Sequence, residues 1–233
     1  MTTRTVYEDG TYLDNNPNWH AEDSPWKASH IEALLRKNHI KPASICEIGC
    51  GSGEILNSLS KHYGESVNFS GYDISPQAFD ICKKKEKNNL HFFLKDLLEE
   101  HGTTFDVAIA CDVFEHVEDY FGFLRKFREK AQYKIFHIPL ELCAQSVILR
   151  SGLLKQRLSV GHIHHFNKET ALATLKDTGY EVLDCFYTRG LIDLPQRGWK
   201  TRLLNIPRRV LYAINPDLAV RILSGFSLMV LAK

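Results

Sequence analysis

The chain has 233 residues, 29 Lys+Arg against 28 Asp+Glu for a formal charge of +1, and 44% hydrophobic residues. That length and core fraction suit one α/β domain, or one domain with an appended segment, and the balanced charge does not suggest a nucleic-acid binder. Six cysteines without a CxxC pair read as free thiols in a reducing compartment. Residues 1–25 are polar and broken by Pro17 and Pro25, yet Tyr7, Tyr12 and Trp19 are interleaved. The expectation is a lid or cap over residues 1–28, followed by one domain from 29 to 233. Trp26–Lys37 then places Ile31, Leu34 and Leu35 on one helical face.

Strand and helix signals alternate after that. Strands are expected at 44–49, 67–73, 90–96, 105–111, 133–140, 181–187 and 227–233. Helices are expected at Glu54–Tyr63, Pro76–Lys87, Tyr120–Lys130 and across "NKETALATLKDTGY" (167–180), with Pro76 in a first turn and Gly179 as a stop. Such alternation predicts a Rossmann-like, seven-stranded, mostly parallel sheet with helices on both faces. A helical insertion, 189–225, interrupts it before the last strand. Its arginines sit among apolar residues, and Pro207 and Pro216 are expected to cut it into short pieces. Solvated helices on the sheet edge are favoured there over a peripheral membrane contact. No apolar run approaches a membrane span and the N-terminus has no apolar signal region, so the expected location is cytoplasmic.

The most informative stretch is "CEIGCGSGEIL" (46–56). A buried strand runs into Gly49, Gly51 and Gly53, and a helix follows. Glycines at such a turn permit positive φ and let backbone approach a ligand. A dinucleotide loop of the G-x-G-x-x-G kind needs glycine at position 54, which is glutamate here. Two acids stand at the next strand ends: Asp73, twenty positions past Gly53, and Asp96 in "LKDLLE".

The spacing E-x-G-x-G-x-G from Glu47, with Asp73 and Asp96 in order, resembles the class I S-adenosylmethionine-dependent methyltransferases. The resemblance covers about residues 30–188 and the last strand. It implies the class I methyltransferase fold and S-adenosylmethionine held by Glu47, Gly49, Cys50, Gly51 and Gly53. Asp73 would accept from the ribose hydroxyls and Asp96 from the adenine amino group. Ile74 and Leu97 would flank the ring, and Asp112 would border the methionine end.

"ACDVFEHVEDY" (110–120) resembles the family's fourth motif, a strand followed by an acid and Glu-His-Val. The plain reading is a helix-start cap that forms a shelf beside the cofactor. Of two catalytic readings, in one His116 or His162 takes the acceptor's proton, with Glu115 beside them. In the other, Asp112, Glu115, His116 and His164 hold Mg, Mn or Zn, a pattern similar to metal-using RNA 2′-O-methyltransferases and ubiquinone-pathway O-methyltransferases. Asp112 stands where those branches have Glu, and Asn167-Lys168 where the RNA branch has Glu-Trp. The favoured reading is O-methylation of a small hydroxylated metabolite, sugar or lipid-linked precursor. The alternatives are a metal-dependent RNA 2′-O-methyltransferase and a non-catalytic S-adenosylmethionine-binding module. Oligomeric state is not legible in the sequence.

Overall fold

The apolar runs pair into one seven-stranded sheet in the computed structural model, which describes residues 21–149, 152–195 and 199–233. The strands are β1 (Ser44–Ile48), β2 (Asn68–Asp73), β3 (Leu90–Leu94), β4 (Phe105–Cys111), β5 (Ala131–Pro139), β6 (Val182–Thr188) and β7 (Ser227–Ala232). Their order is β3-β2-β1-β4-β5-β7-β6, and only β7 runs antiparallel to its neighbours. Central β1 and β4 are buried on both faces, so they read as continuous apolar runs rather than alternating ones.

One face is covered by α1 (Ser24–Lys37), α2 (Glu54–Tyr63) and α3 (Pro76–Cys82), where Ile31, Leu35, Leu56 and Leu59 meet Ile45, Val107 and Ile135. The other carries α4 (Tyr120–Arg128), then α5 (Ala144–Ile148), α6 (Gly152–Ser159) and α7 (Lys168–Asp177). After β6 come α8 (Gly190–Asp193), α9 (Trp199–Ile214) and α10 (Pro216–Ile222). Phe123, Leu124 and Phe127 of α4, Leu175 of α7 and Val220 of α10 pack with Phe136, Ile138 and Val230. Strand order reverses between β1 and β4, so their outgoing loops diverge and leave a crevice beyond the carboxyl ends of the strands.

Three expectations need correction. The third helix stops at Cys82 and continues as a 3-10 turn, Lys83–Lys85. There Lys85 and Lys87 leave the helix to bond the Ser52 carbonyl and Asn57. Residues 144–159 hold two helices that were not anticipated. Pro207 lies inside α9 without ending it. Asn205 bonds the Leu191 carbonyl and Arg208 the Ser224 carbonyl, anchoring the helix on both sides of the missing N–H. Of the expected lid, residues 1–20 lie outside the described residues, and Ser24–Ala28 form the start of α1.

Candidate active site

The loop after β1 is built on three left-handed glycines, with φ of 64° at Gly49, 53° at Gly51 and 72° at Gly53. A Cβ on Gly53 would stand 2.6 Å from the Phe92 ring, so only glycine fits the turn into α2. Asp73, at the end of β2, braces this loop from below. Its carboxylate accepts the Gly51 N–H at 2.7 Å and the Ser75 N–H at 2.8 Å. Burial pushes its carboxyl up, and those backbone donors pull it back. At the end of β3, Asp96 accepts the Leu98 N–H at 2.9 Å.

These strand ends open onto a cavity of about 650 Å³. Glu47, Gly49, Cys50, Gly51, Asp73, Ile74, Asp96 and Asp112 line it. Gly53 packs instead against Phe92 and Cys82, and Leu97 is fully buried in the core, so Leu98 supplies the wall in its place. Glu47 is 2% exposed, and its Oε2 has no hydrogen-bond partner among the described residues. Burial pushes its carboxyl well above the usual carboxylate range.

Asp112 does something the sequence did not disclose. It follows β4 with φ of 53°, a left-handed conformation that Asp tolerates better than most residues. One oxygen accepts from Lys27 Nζ of α1 at 2.6 Å, and the other meets His137 Nδ1 of β5 at 2.6 Å. The second ring nitrogen of His137 lies 2.9 Å from the Thr188 hydroxyl at the end of β6. Burial alone would push the Asp112 carboxyl up, but His137 and Lys27 hold it well below the usual range. Burial opposes the charge on Lys27, but Asp112, joined by Cys111 and Asp23, outweighs it and raises the group above the ordinary lysine range.

Beyond Asp112 the chain makes a 3-10 turn, Phe114–His116, rather than an α-helix. The i, i+3, i+4 argument for a shared ion therefore fails for Asp112, whose carboxylate is turned toward Lys27 and His137. His164 is also elsewhere, its Nε2 3.0 Å from the Val117 carbonyl and its ring 4.5 Å from Tyr120. The expected quartet of Asp112, Glu115, His116 and His164 is not assembled.

What comes together is Glu115, His116 and His162, whose ligand atoms all lie within 4.8 Å of one another. The backbone explains why: Ile163 and His164 both donate their N–H to the Glu115 carbonyl, drawing the histidine loop onto the turn. His116 lines the cavity, and its Nδ1 faces the Gly161 carbonyl at 3.1 Å. A carbonyl only accepts, so Nδ1 carries the proton and Nε2 the lone pair. Burial and the neighbouring His162 lower His116 to about 4. His162 bonds Glu141 at 2.8 Å, and His165 takes the other Glu141 oxygen at 2.8 Å. Burial opposes charge on His162, but Glu141 and Glu115 outweigh it and raise the ring's pKa. Glu115 is 1% exposed with neither carboxylate oxygen partnered among the described residues, and burial followed by Asp112 pushes it to about 8.

Sequence reasoning missed His137, Thr188 and Glu141 as parts of this site. Position was the available signal, because His137, Glu141 and Thr188 all stand at or just past the ends of β5 and β6.

A family model described as Methyltransferase domain matches residues 19–184. Over 110 residues the chain is 34% identical to the mitochondrial ubiquinone biosynthesis O-methyltransferase of Schizosaccharomyces pombe, covering 43% of this chain and 38% of that protein. The ubiquinone biosynthesis O-methyltransferase of Hydrogenovibrio crunogenus is 26% identical over 113 residues, covering 43% of this chain and 46% of that protein. The matched region thus spans less than half the length of these curated relatives. Among solved structures, the N-methyltransferase NodS from Bradyrhizobium japonicum, in complex with S-adenosyl-L-homocysteine, matches with a TM-score of 0.61 at 15% identity. That match covers 100% of this chain and 98% of NodS, a likeness of fold.

Proposed function

The chain belongs to the methyltransferase-domain family, and from that premise we propose that it transfers the methyl group of S-adenosylmethionine to a hydroxyl oxygen of a small acceptor. The cavity fits that donor on two grounds. Gly49 and Gly51, both at positive φ, line it and admit close backbone approach, and the orphaned Glu47 Oε2 in its wall suits a cationic ligand group. A volume of about 650 Å³ lies within the range of small-molecule sites. Asp73 and Asp96 are assigned to the ribose and adenine ends, as the family resemblance implies. When bound, S-adenosylmethionine supplies a methyl already activated by its sulfonium. The protein's share is positioning and removal of a proton.

His116 is assigned that proton. Its lone pair is on Nε2, and burial keeps the ring neutral at physiological pH. A ring lowered to about 4 is a weak base toward a free hydroxyl. It suffices for an oxygen that has begun to bond the methyl, because a protonated ether is a strong acid. Glu115 beside it, pushed to about 8, carries its own proton near pH 7 and brings no negative charge to the resting site. Glu141 orients His162, and the Lys27–Asp112–His137 network holds the loop that carries the turn.

The presence of this buried proton-handling cluster at a cavity built on the glycine loop is the observation that carries the reading. The O-methyltransferase names of two of the curated relatives support it. The test uses paired acceptors that differ only in a hydroxyl or an amine. Mass spectrometry should find methyl ethers, whereas product confined to the amines overturns the oxygen assignment.

A specific observation favours a metal-assisted version: both oxygens of Glu115 are buried without a partner beside two imidazoles. Glu115, His116 and His162 would hold the ion, with Glu141 fixing the His162 ring. Such an ion would supply polarisation of an acceptor hydroxyl. Turnover unaffected by EDTA in metal-free protein would remove this version and leave His116 as the base.

A further inference from the structure

The helices after β5 and β6 are dressed the wrong way round for a water-facing surface. Along α9, Leu203, Ile206, Val210 and Ile214 recur at helical spacing and point outward, with Ile214 75% exposed. Two polar residues of the same helix turn inward: Asn205 is buried, and Arg208 reaches back to the Ser224 carbonyl. In α10 the exposed pair is Leu218 and Ile222; in α6 it is Leu154 and Leu158, the last 74% exposed. In α5, Ile148 is 76% exposed beside Val147.

These four helices are neighbours. α9 packs on α10, α10 on α5 and α5 on α6. Gln145 of α5 accepts from the Ser224 N–H after α10 at 3.0 Å. Gly152 lets α6 approach α5, since a Cβ there would stand 2.9 Å from the Ser146 carbonyl. Monomeric soluble proteins rarely leave so much large aliphatic surface in one place.

Charge selects the occupant. Between Ala144 and Val160 the sequence holds Arg150, Lys155 and Arg157 and no acid. Between Trp199 and Gly225 it holds five further Lys and Arg residues and one acid. Of these, Arg209 is exposed, Arg208 turns inward and Arg221 pairs with Glu169, while the acid, Asp217, is already bonded to Lys168 and Tyr187. Two copies of such a face would bring like charges together, whereas an anionic bilayer supplies both an apolar bed and complementary headgroups. No helix among the described residues is long and apolar enough to cross a membrane. We infer that α5, α6, α9 and α10 form a peripheral docking face that lies on the surface of an anionic lipid bilayer. The face starts three residues after Glu141, so docking sets the bilayer beside the histidine cluster.

The test is vesicle co-sedimentation of the full chain, with phosphatidylcholine:phosphatidylglycerol 3:1 or phosphatidylcholine alone. The expected result is pelleting with the anionic vesicles at low salt, weakened by added salt. An Ile148→Ser/Ile214→Ser variant, both positions exposed, should lose affinity by about tenfold or more while melting like the parent. Absence of pelleting at low salt, equal pelleting on neutral vesicles, or unchanged pelleting of the variant overturns the inference. So does a dimer in light scattering that the same variant dissociates, which would make the face an interface between copies.

Discussion

Asp112 shows how a single residue's backbone can redirect its chemistry. From sequence it sits three before Glu115 and four before His116, a spacing that suits a shared ion on a helix. The left-handed φ of 53° sends its carboxylate the other way, to Lys27 and His137. Lys134 is a second buried charge, and it carries a pH signature. Burial, then Arg128, lowers it to about 8. Between that value and the unfolded lysine pKa of about 10.4, the unfolded chain binds more protons than the native one. Stability therefore rises with pH across that window. Lys134→Met removes this slope, and near pH 7 it should be more stable than the parent by about 1–2 kcal/mol, allowing for solvent around the ammonium. Urea titrations of both proteins from pH 7 to 10.5 should show the gap closing; a constant gap contradicts the assignment.

Among the elements, α1 is fastened to the sheet by more than its apolar face. Ile31, Leu34 and Leu35 are legible as a helical stripe, and they are buried as expected. The ion pair from Lys27 to Asp112 spans 85 positions and follows no periodicity, so no sequence pattern announces it. Lys27→Met leaves Asp112 buried with one partner fewer and should cost about 3 kcal/mol in urea unfolding. Adding Asp112→Asn to it should recover part of that loss, because the uncompensated charge is gone; a fully additive double variant contradicts the pairing. The glycine loop was legible for the opposite reason. Its conformation is demanded locally, by positive φ at three glycines and a Phe92 ring against the last. Pro207 does not end α9 as its propensity alone predicts, because Asn205 and Arg208 hold the helix through tertiary bonds.

At the scale of the molecule, the alternation of strands and helices foretold a seven-stranded sheet wound by helices, and the sheet is there. Insertion of β7 between β5 and β6 was not written in any local pattern, since strand order depends on which edges the crossovers leave open. The candidate site follows the same division. The half assigned to the donor, at β1, β2 and β3, is legible as a set of acids and glycines because each part sits at a strand end in a fixed order. Its acceptor half gathers Glu115, His116, His162 and Glu141 from three loops, and only the folded chain says which histidine of "HIHHF" joins them. The account stands on His116 serving the acceptor at a cavity that binds S-adenosylmethionine independently of it. The direct measurement is His116→Ala, with kcat for a hydroxylated acceptor read beside S-adenosylhomocysteine affinity by calorimetry. A kcat lowered about 10²–10⁴-fold with affinity within about twofold is predicted. Unchanged turnover, or loss of S-adenosylhomocysteine binding in a variant that still folds, would contradict it.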